Sequence, residues 1–254
     1  MILSQAVAAA AIATDSGAAA VPARTTTVIR AVAFDGFVIF DPRPISVTSE
    51  ALFPGRGREL AAAWKTRQFE YTWLRTLMGA YVDFWQVTDE ALTFAGEQLD
   101  LDITAPKQAQ LMNEFINLKA WPDVLPTLTG LRQAGIRLAF LNNFSKSMLD
   151  ANVRSAGLQG LFEAYLSTDQ VRAYKPDPRA YRMGPDHLKL PPEQIAFAAF
   201  GGWDAAGAKR FGYWTYWCNR LGATGEVLGA KPDATSSGLA ELLNHVVGAA
   251  RDEL

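Results

Sequence analysis

The sequence predicts an α/β fold: a parallel, Rossmann-like sheet with a helical cap domain inserted after its first strand. Three observations point there. From residue 28 onward, short and nearly continuous apolar runs alternate with helical stretches, the pattern of strands covered on both faces. Between the first run and the second, residues 46–122 show only helical periodicity. A length of 254 residues suits one domain with an insertion, or two small ones.

Taken in order, residues 1–27 stand apart. They are rich in Ala and Thr and poor in charge. "AVAAAAIA" has the character of an export-signal core and "VPA" that of a cleavage site, yet no Lys or Arg precedes the run and Asp15 breaks the stretch between them. The segment reads as a disordered tail, a misplaced start or an export-signal remnant. The expected location is cytoplasmic, or periplasmic if the export reading holds. The core domain is expected over 28–45 and 123–254, beginning with the strand "VIRAVAF" (28–34), which ends at Asp35.

The cap, 46–122, opens its long helix in "RELAAAWKTRQFEYTWLRTLMG", where Leu60, Trp64, Arg67, Tyr71, Leu74 and Leu77 recur three and four residues apart. "TDEALTFAGEQL" offers Thr88 as an N-cap with Glu90 behind it. "APKQAQLMNEFINLKA" supplies a further helix and "WPDV" returns the chain to the core. The remaining strands are "IRLAFL" (136–141), "AYLST" (164–168), "IAFAAF" (195–200) and "YWTYWC" (213–218). Helices follow in "KSMLDANVRSAG", closed by Gly157, and "DAAGAKRFG", closed by Gly212.

Composition narrows the function. Lys plus Arg number 24 against 26 Asp plus Glu, with no basic stripe, so nucleic acid is not an expected partner. The globular part has no unbroken apolar run long enough for a membrane span. The single cysteine, Cys218, forms no intrachain disulfide and reads as a packed thiol in the aromatic run "YWTYWCN". His187 and His245 have no metal-ligand partner at i+3 or i+4 and read as surface or packing residues.

Ligands of open α/β sheets bind outside the carboxyl ends of the strands. Asp35 ends the first strand there, and a carboxylate needs no base to act as a nucleophile. "YKPDPRAY" brings Lys175 to the same end after "AYLSTD", where an ammonium favours the charged form of a neighbouring carboxylate. "FLNNFSK" places Asn142, Asn143 and Ser145 at a strand end and a helix start, where free N–H groups bind anions. "FAAFGGWDAAGA" adds Asp204. Singly these read as caps or a surface lysine; four strand ends sharing one crevice read as a site.

With these residues in place, the chain resembles the haloacid dehalogenase superfamily, and within it the type II (S)-2-haloacid dehalogenases, over 28 to about 245. The resemblance is carried by "FPGRGRELAAAWKTRQFEYTWLRTLMGAY", "LKAWPDV", "YKPDPRAY" and "GWDAAGAKRFGY". It implies that Asp35 displaces halide from C2 of a small 2-haloacid to form an ester, which water hydrolyses to a 2-hydroxy acid of inverted configuration. It implies Lys175 as the charge partner and Asp204 as the group that orients or deprotonates water. Asn143 is implied at the halide, Tyr181 near the site, and Phe37, Phe84 and Trp203 around the substrate's carbon chain. Lys65 stands where the family uses a halide-holding arginine, and Asn142 where it uses a serine.

No cofactor or metal is expected. Phosphatases of the superfamily carry a second acid at the position of Phe37, and "AAFGGWD" offers no acid before Asp204, so a magnesium cage is poorly furnished. The departures are Val38 and Ile39 for the usual Gly-Thr, and Ala199 and Gly201 for a serine and an asparagine. They leave open a weakened protein that only binds small carboxylates, and a phosphatase-like hydrolase on an unusual substrate. The long cap helix fits a homodimer, or a monomer that buries the same face within the cap.

Overall fold

A computed structural model describes residues 28–251. Its centre is a six-stranded parallel sheet: β1 (Ala31–Phe34), β2 (Arg137–Asn142), β3 (Ala164–Ser167), β4 (Ile195–Ala199), β5 (Trp214–Cys218) and β6 (Ala234–Ser236), in spatial order β3-β2-β1-β4-β5-β6. β1 and β4 are buried throughout and contain no charged residue, which suits strands covered on both faces. Val32 and Phe34 face one core with Leu138 and Phe140. Ala31 and Ala33 face the other with Ala139, Leu141 and Phe197. This period of two sorts the strand residues between two helical layers.

The expected α/β class is therefore the observed one. β1 begins three residues later than "VIRAVAF" suggests, and β6 has no counterpart among the strands expected from sequence. β6 is a three-residue edge strand of Ala, Thr and Ser, none of them buried, so it carries no apolar signal.

After β1 and a short first turn, α1 (Gly36–Ile39), the insert forms four helices: α2 (Arg43–Leu52), α3 (Gly57–Met78), α4 (Phe84–Gln98) and α5 (Ala105–Glu114). α3 buries Leu60, Trp64, Gln68 and Thr72, a strict i, i+4 track. The expected stripe leaves that track after Trp64: Arg67 and Tyr71 are only half-buried, and Leu77 is 83% exposed. Trp64 donates its indole N–H to the carbonyl of Thr88 at 2.7 Å, and Gln68 donates to the Thr88 hydroxyl at 2.7 Å. Thr88 is thus an interior residue of α4 and not its cap. Asp83 caps the helix, accepting from the backbone N–H of Gln86 at 2.9 Å.

The two segments joining this helical insert to the sheet pair with each other. Phe40 and Ala120 form an antiparallel bridge, Trp121 donates its N–H to Ile39 at 3.1 Å, and Asp41 donates to Lys119 at 2.8 Å. Then come α6 (Val124–Gln133), α7 (Lys146–Ser155), α8 (Pro178–Leu188), α9 (Gly202–Phe211) and α10 (Ala240–Arg251).

Cys218 is buried, and burial pushes its thiol up to about 12, so it packs and does not react at neutral pH. His245 packs its ring beside Trp214 and Tyr216, while His187 lies at the surface 4.0 Å from Glu163. No helix among the described residues is long and apolar enough to cross a membrane. The expectations for residues 1–27 lie outside the described residues.

Candidate active site

The strand order reverses at β1, which has β2 on one side and β4 on the other. A crevice at the carboxyl ends of such strands is where open sheets bind ligands. Asp35 follows β1 at once, with its backbone N–H donated to Ala198 of β4 at 2.9 Å. One carboxylate oxygen caps α1, accepting from the N–H of Phe37 at 3.1 Å. The other accepts from Lys175 Nζ at 2.9 Å. Turn cap and charged group are the same residue.

Lys175 is fully buried and also donates to Asp204 Oδ2 at 2.6 Å. Asp204 lies in the first turn of α9, just after β4. Its other oxygen accepts from the Tyr181 hydroxyl at 2.7 Å. Two carboxylates thus share one ammonium, and Asp204 alone also takes the phenol, in a nearly dry pocket with the Lys175 ammonium 5.1 Å from the ring of Phe197.

Burial disfavours the charged form of Lys175, but the two carboxylates reverse this and hold its pKa above the ordinary lysine value. Burial also raises Asp204. Lys175 opposes that rise and the negative charge of Asp35 adds to it, leaving Asp204 at about 6. The asymmetry is physical: the ammonium has two anionic partners, whereas the carboxylates must divide one cation. Burial beside Asp204 raises Tyr181 well above its usual range, so it remains a neutral donor.

The other expected residues divide into those gathered here and one that is not. Asn143 accepts the backbone N–H of Lys175 at 3.1 Å, tying the end of β2 to the lysine loop. Asn142 is buried and accepts the N–H of Phe144 at 3.0 Å. Phe37 meets the edge of Phe144 at 5.0 Å, and Phe84 lies 5.4 Å from the same ring. Trp203 packs against Phe69 and Trp73 of α3 at 5.4 and 5.6 Å, so the helical insert walls the site. Lys65 lies one turn before Phe69 on α3, but its side chain is exposed and makes no hydrogen bond or ion pair among the described residues.

Several supporting residues carry no signal in the sequence pattern. Arg220 donates to the carbonyl of Val38 at 3.2 and 3.1 Å and to both oxygens of Asp123 at 3.1 and 2.9 Å. The indole of Trp121 donates to the carbonyl of Phe37 at 3.0 Å, and its ring lies 4.7 Å from Arg220 and 4.6 Å from Arg43. Together they satisfy carbonyls of α1, the turn that starts at Asp35. The lysine loop is held from the insert: Tyr174 donates its N–H to the Thr76 hydroxyl at 3.0 Å and its own hydroxyl to Val82 at 2.6 Å.

Magnesium needs several oxygen ligands in octahedral array. Asp35 and Asp204 both turn an oxygen onto Lys175, and Phe37 and Ala199 supply none, so the donor set does not fit that ion. Among the described residues there is no group of three or more His, Cys, Asp or Glu placed to hold a metal.

Comparison with known proteins gives a consistent picture. A family model described as haloacid dehalogenase-like hydrolase matches residues 9–212. Haloacetate dehalogenase H-2 of Moraxella sp. (strain B) is 39% identical over 208 residues, covering 82% of this chain and 93% of the relative. The (S)-2-haloacid dehalogenase of Pseudomonas sp. (strain YL) is 41% identical over 206 residues, covering 81% and 89%. The L-2-haloacid dehalogenase of Xanthobacter autotrophicus, solved with chloropropionic acid covalently bound, superposes with a TM-score of 0.81 at 31% identity, covering 87% of this chain and 99% of that one.

Proposed function

This chain belongs to the haloacid dehalogenase-like hydrolases, and from that membership we propose that it removes halide from small 2-haloalkanoic acids through an aspartyl ester. The observation that carries the reading is the cluster Asp35–Lys175–Asp204, with an aromatic ring at position 37 where a second acid would serve phosphate chemistry.

An oxygen of Asp35 attacks C2 of the substrate, and the carbon–halogen bond breaks on the opposite side, inverting C2. Lys175 holds Asp35 in place before attack. The halide leaves toward Asn143. Water, deprotonated by ionised Asp204, then adds to the ester carbonyl of Asp35. Collapse breaks the bond between that carbonyl carbon and the substrate's oxygen, which takes up a proton and departs as the hydroxyl of a 2-hydroxy acid. One oxygen from water remains in Asp35. Phe37, Phe84 and Trp203 enclose the carbon chain and exclude bulk water.

The reading assigns residues 46–122 as a cap over a core of 28–45 and 123–254. The insert's contacts through Trp73 and Thr76 support it. It also includes a homodimer formed on α3, whose Leu74 and Leu77 are exposed, and a cytoplasmic location. The alternative of a carboxylate-binding protein without turnover draws support from the solvent-exposed Lys65.

A single-turnover experiment in oxygen-labelled water separates these readings. With (S)-2-chloropropionate, chloride release and one labelled oxygen in the Asp35 peptide are expected. Release without label at Asp35 excludes the ester, and no release across a haloacid panel excludes the hydrolase.

The pH profile tests Asp204. The Tyr181 hydroxyl favours its ionised form, so Tyr181→Phe raises Asp204 above its value of about 6. The acid limb of kcat is expected to move up by roughly half to one pH unit, with a much smaller loss at pH 8. An unmoved acid limb would remove Asp204 from the role of base.

A further inference from the structure

The carboxylate of Asp35 is held by two contacts of different kinds. Lys175 grips one oxygen at 2.9 Å, and the N–H of Phe37 meets the other at 3.1 Å. A carboxylate held at one oxygen alone still turns about its Cβ–Cγ bond, a torsion with broad minima. The Phe37 N–H is therefore what fixes its plane. That N–H belongs to α1, four residues with the sequence Gly-Phe-Val-Ile and no polar side chain. A single turn is far too short to keep its own shape in water. Something outside α1 must set where this N–H points.

The carbonyls of α1 show what does. Phe37 accepts from the indole of Trp121 at 3.0 Å, and Ile39 from the Trp121 backbone N–H at 3.1 Å. Between them, Val38 accepts from Arg220 Nε at 3.2 Å and Nη2 at 3.1 Å. Peptide dipoles in a helical turn lie along its axis, carbonyls toward one end and N–H groups toward the other. A grip on these oxygens therefore sets the direction of the N–H that faces Asp35.

Arg220 is anchored in its turn. Its Nη1 and Nη2 donate to Asp123 Oδ2 and Oδ1 at 3.1 and 2.9 Å, and Oδ2 also accepts the N–H of Leu239 at 2.7 Å. A Cβ on Gly238 would stand 2.8 Å from that oxygen, so the chain closes tightly round the anchor. The arginine side chain is 6% exposed, and its planar fork serves Val38 and Asp123 at once. A lysine, with one nitrogen, has no such fork. Among the described residues the hydrogen bonds of this side chain all go to Val38 and Asp123, so it reaches the nucleophile only through α1.

We infer that Arg220, with Trp121 beside it, is a positioning residue for the nucleophile: the two hold α1 by its carbonyls, so that the N–H of Phe37 keeps the carboxylate of Asp35 in the plane from which it attacks. The inference rests on the haloacid reading for the role of Asp35, and the experiment includes a readout that needs no turnover.

Arg220→Lys keeps the charge beside Asp123 and loses the fork. Trp121→Phe keeps a ring and loses the indole N–H, which leaves the test intact if the first variant does not fold. In each, amide hydrogen exchange of residues 36–40 is expected to quicken by about tenfold or more, while β1 and β4 exchange as in wild type. Single-turnover halide release from (S)-2-chloropropionate is expected to slow by about 30-fold in Arg220→Lys and by roughly tenfold in Trp121→Phe. Propionate, whose binding is measured by calorimetry, is expected to stay within about threefold of wild type, because aim is lost and not affinity.

Unchanged exchange at 36–40 in the folded variants overturns the hold on α1. Exchange that rises equally through the sheet, with a normal rate per folded molecule, shows a purely structural role and overturns the positioning. A loss of propionate binding as large as the loss of rate overturns it as well, since the pocket itself has then collapsed. Wild type and variants that show the expected exchange, with no halide released by either from any haloacid, would leave the hold on α1 standing and remove the dehalogenase reading alone.

Discussion

Lys175→Met is expected to stop turnover and to unfold the protein more readily than other single changes in the site. The side chain is fully buried, and its ammonium is the shared partner of Asp35 and Asp204 at 2.9 and 2.6 Å. Methionine fills similar space but leaves two carboxylates facing each other in a dry pocket. Removing one partner of a buried ion pair costs about 3–5 kcal/mol. Loss of the ammonium that aims the nucleophile costs ~1,000-fold or more in rate.

The pH dependence carries the sign that identifies the cause. In the variant, like-charge repulsion and burial raise the folded-state carboxyl pKa above the unfolded value of about 4. The folded form then binds more protons than the unfolded chain between those values, so stability falls as pH rises through them. The deficit against wild type is expected to be larger at pH 8 than at pH 5. Wild type has its own milder version, since Asp204 at about 6 is already raised. Its lysine contribution is fully present below the unfolded lysine value and is lost only as pH rises through the higher folded one. Denaturant unfolding of both proteins at the two pH values measures this. An equal deficit at both would show lost packing, not stranded charge.

The sheet and Asp35 were legible for one reason: apolar runs mark the strands, and the aspartate sits where the first one stops. A strand buried on both faces leaves a strong signal, and a charged residue at its carboxyl end has little choice of direction. Lys175, in the loop beyond β3, and Asp204, in the first turn of α9, were legible through the crevice they share with it. Elements whose partners are distant in sequence were not legible. Arg220 reaches Val38 and Asp123, 182 and 97 residues away, and no local pattern encodes such a contact.

The helical insert shows where local rules compete. Thr88 followed by Glu90 resembles a helix start, yet Asp83 caps the same helix five residues earlier, and the Thr88 hydroxyl turns back to the carbonyl of Phe84. The expected stripe in α3 matched the buried track at Leu60 and Trp64; the track then runs through Gln68 and Thr72, while Arg67 and Tyr71 are half-buried and Leu74 and Leu77 exposed.

Asp204→Asn separates the two halves of the reaction, because its geometry spares the first. The amide oxygen can accept from Lys175 where Oδ2 does now, and the amide N–H can face the Tyr181 oxygen. Lys175 then keeps its contact with Asp35, and attack on C2 proceeds. The second step loses its base, a role worth roughly 100- to 10,000-fold. The expected result is a burst of about one halide per site, followed by slow turnover, with the ester accumulating on Asp35. Rapid-quench halide measurement and mass analysis of the Asp35 peptide read both. A variant with no burst and no ester would place Asp204 in the alkylation step, whereas unchanged steady-state turnover would leave water activation to another group. Lys175→Met, by contrast, stops before any ester forms, so the order of the two variants along the reaction distinguishes the partner that readies the nucleophile from the one that frees it.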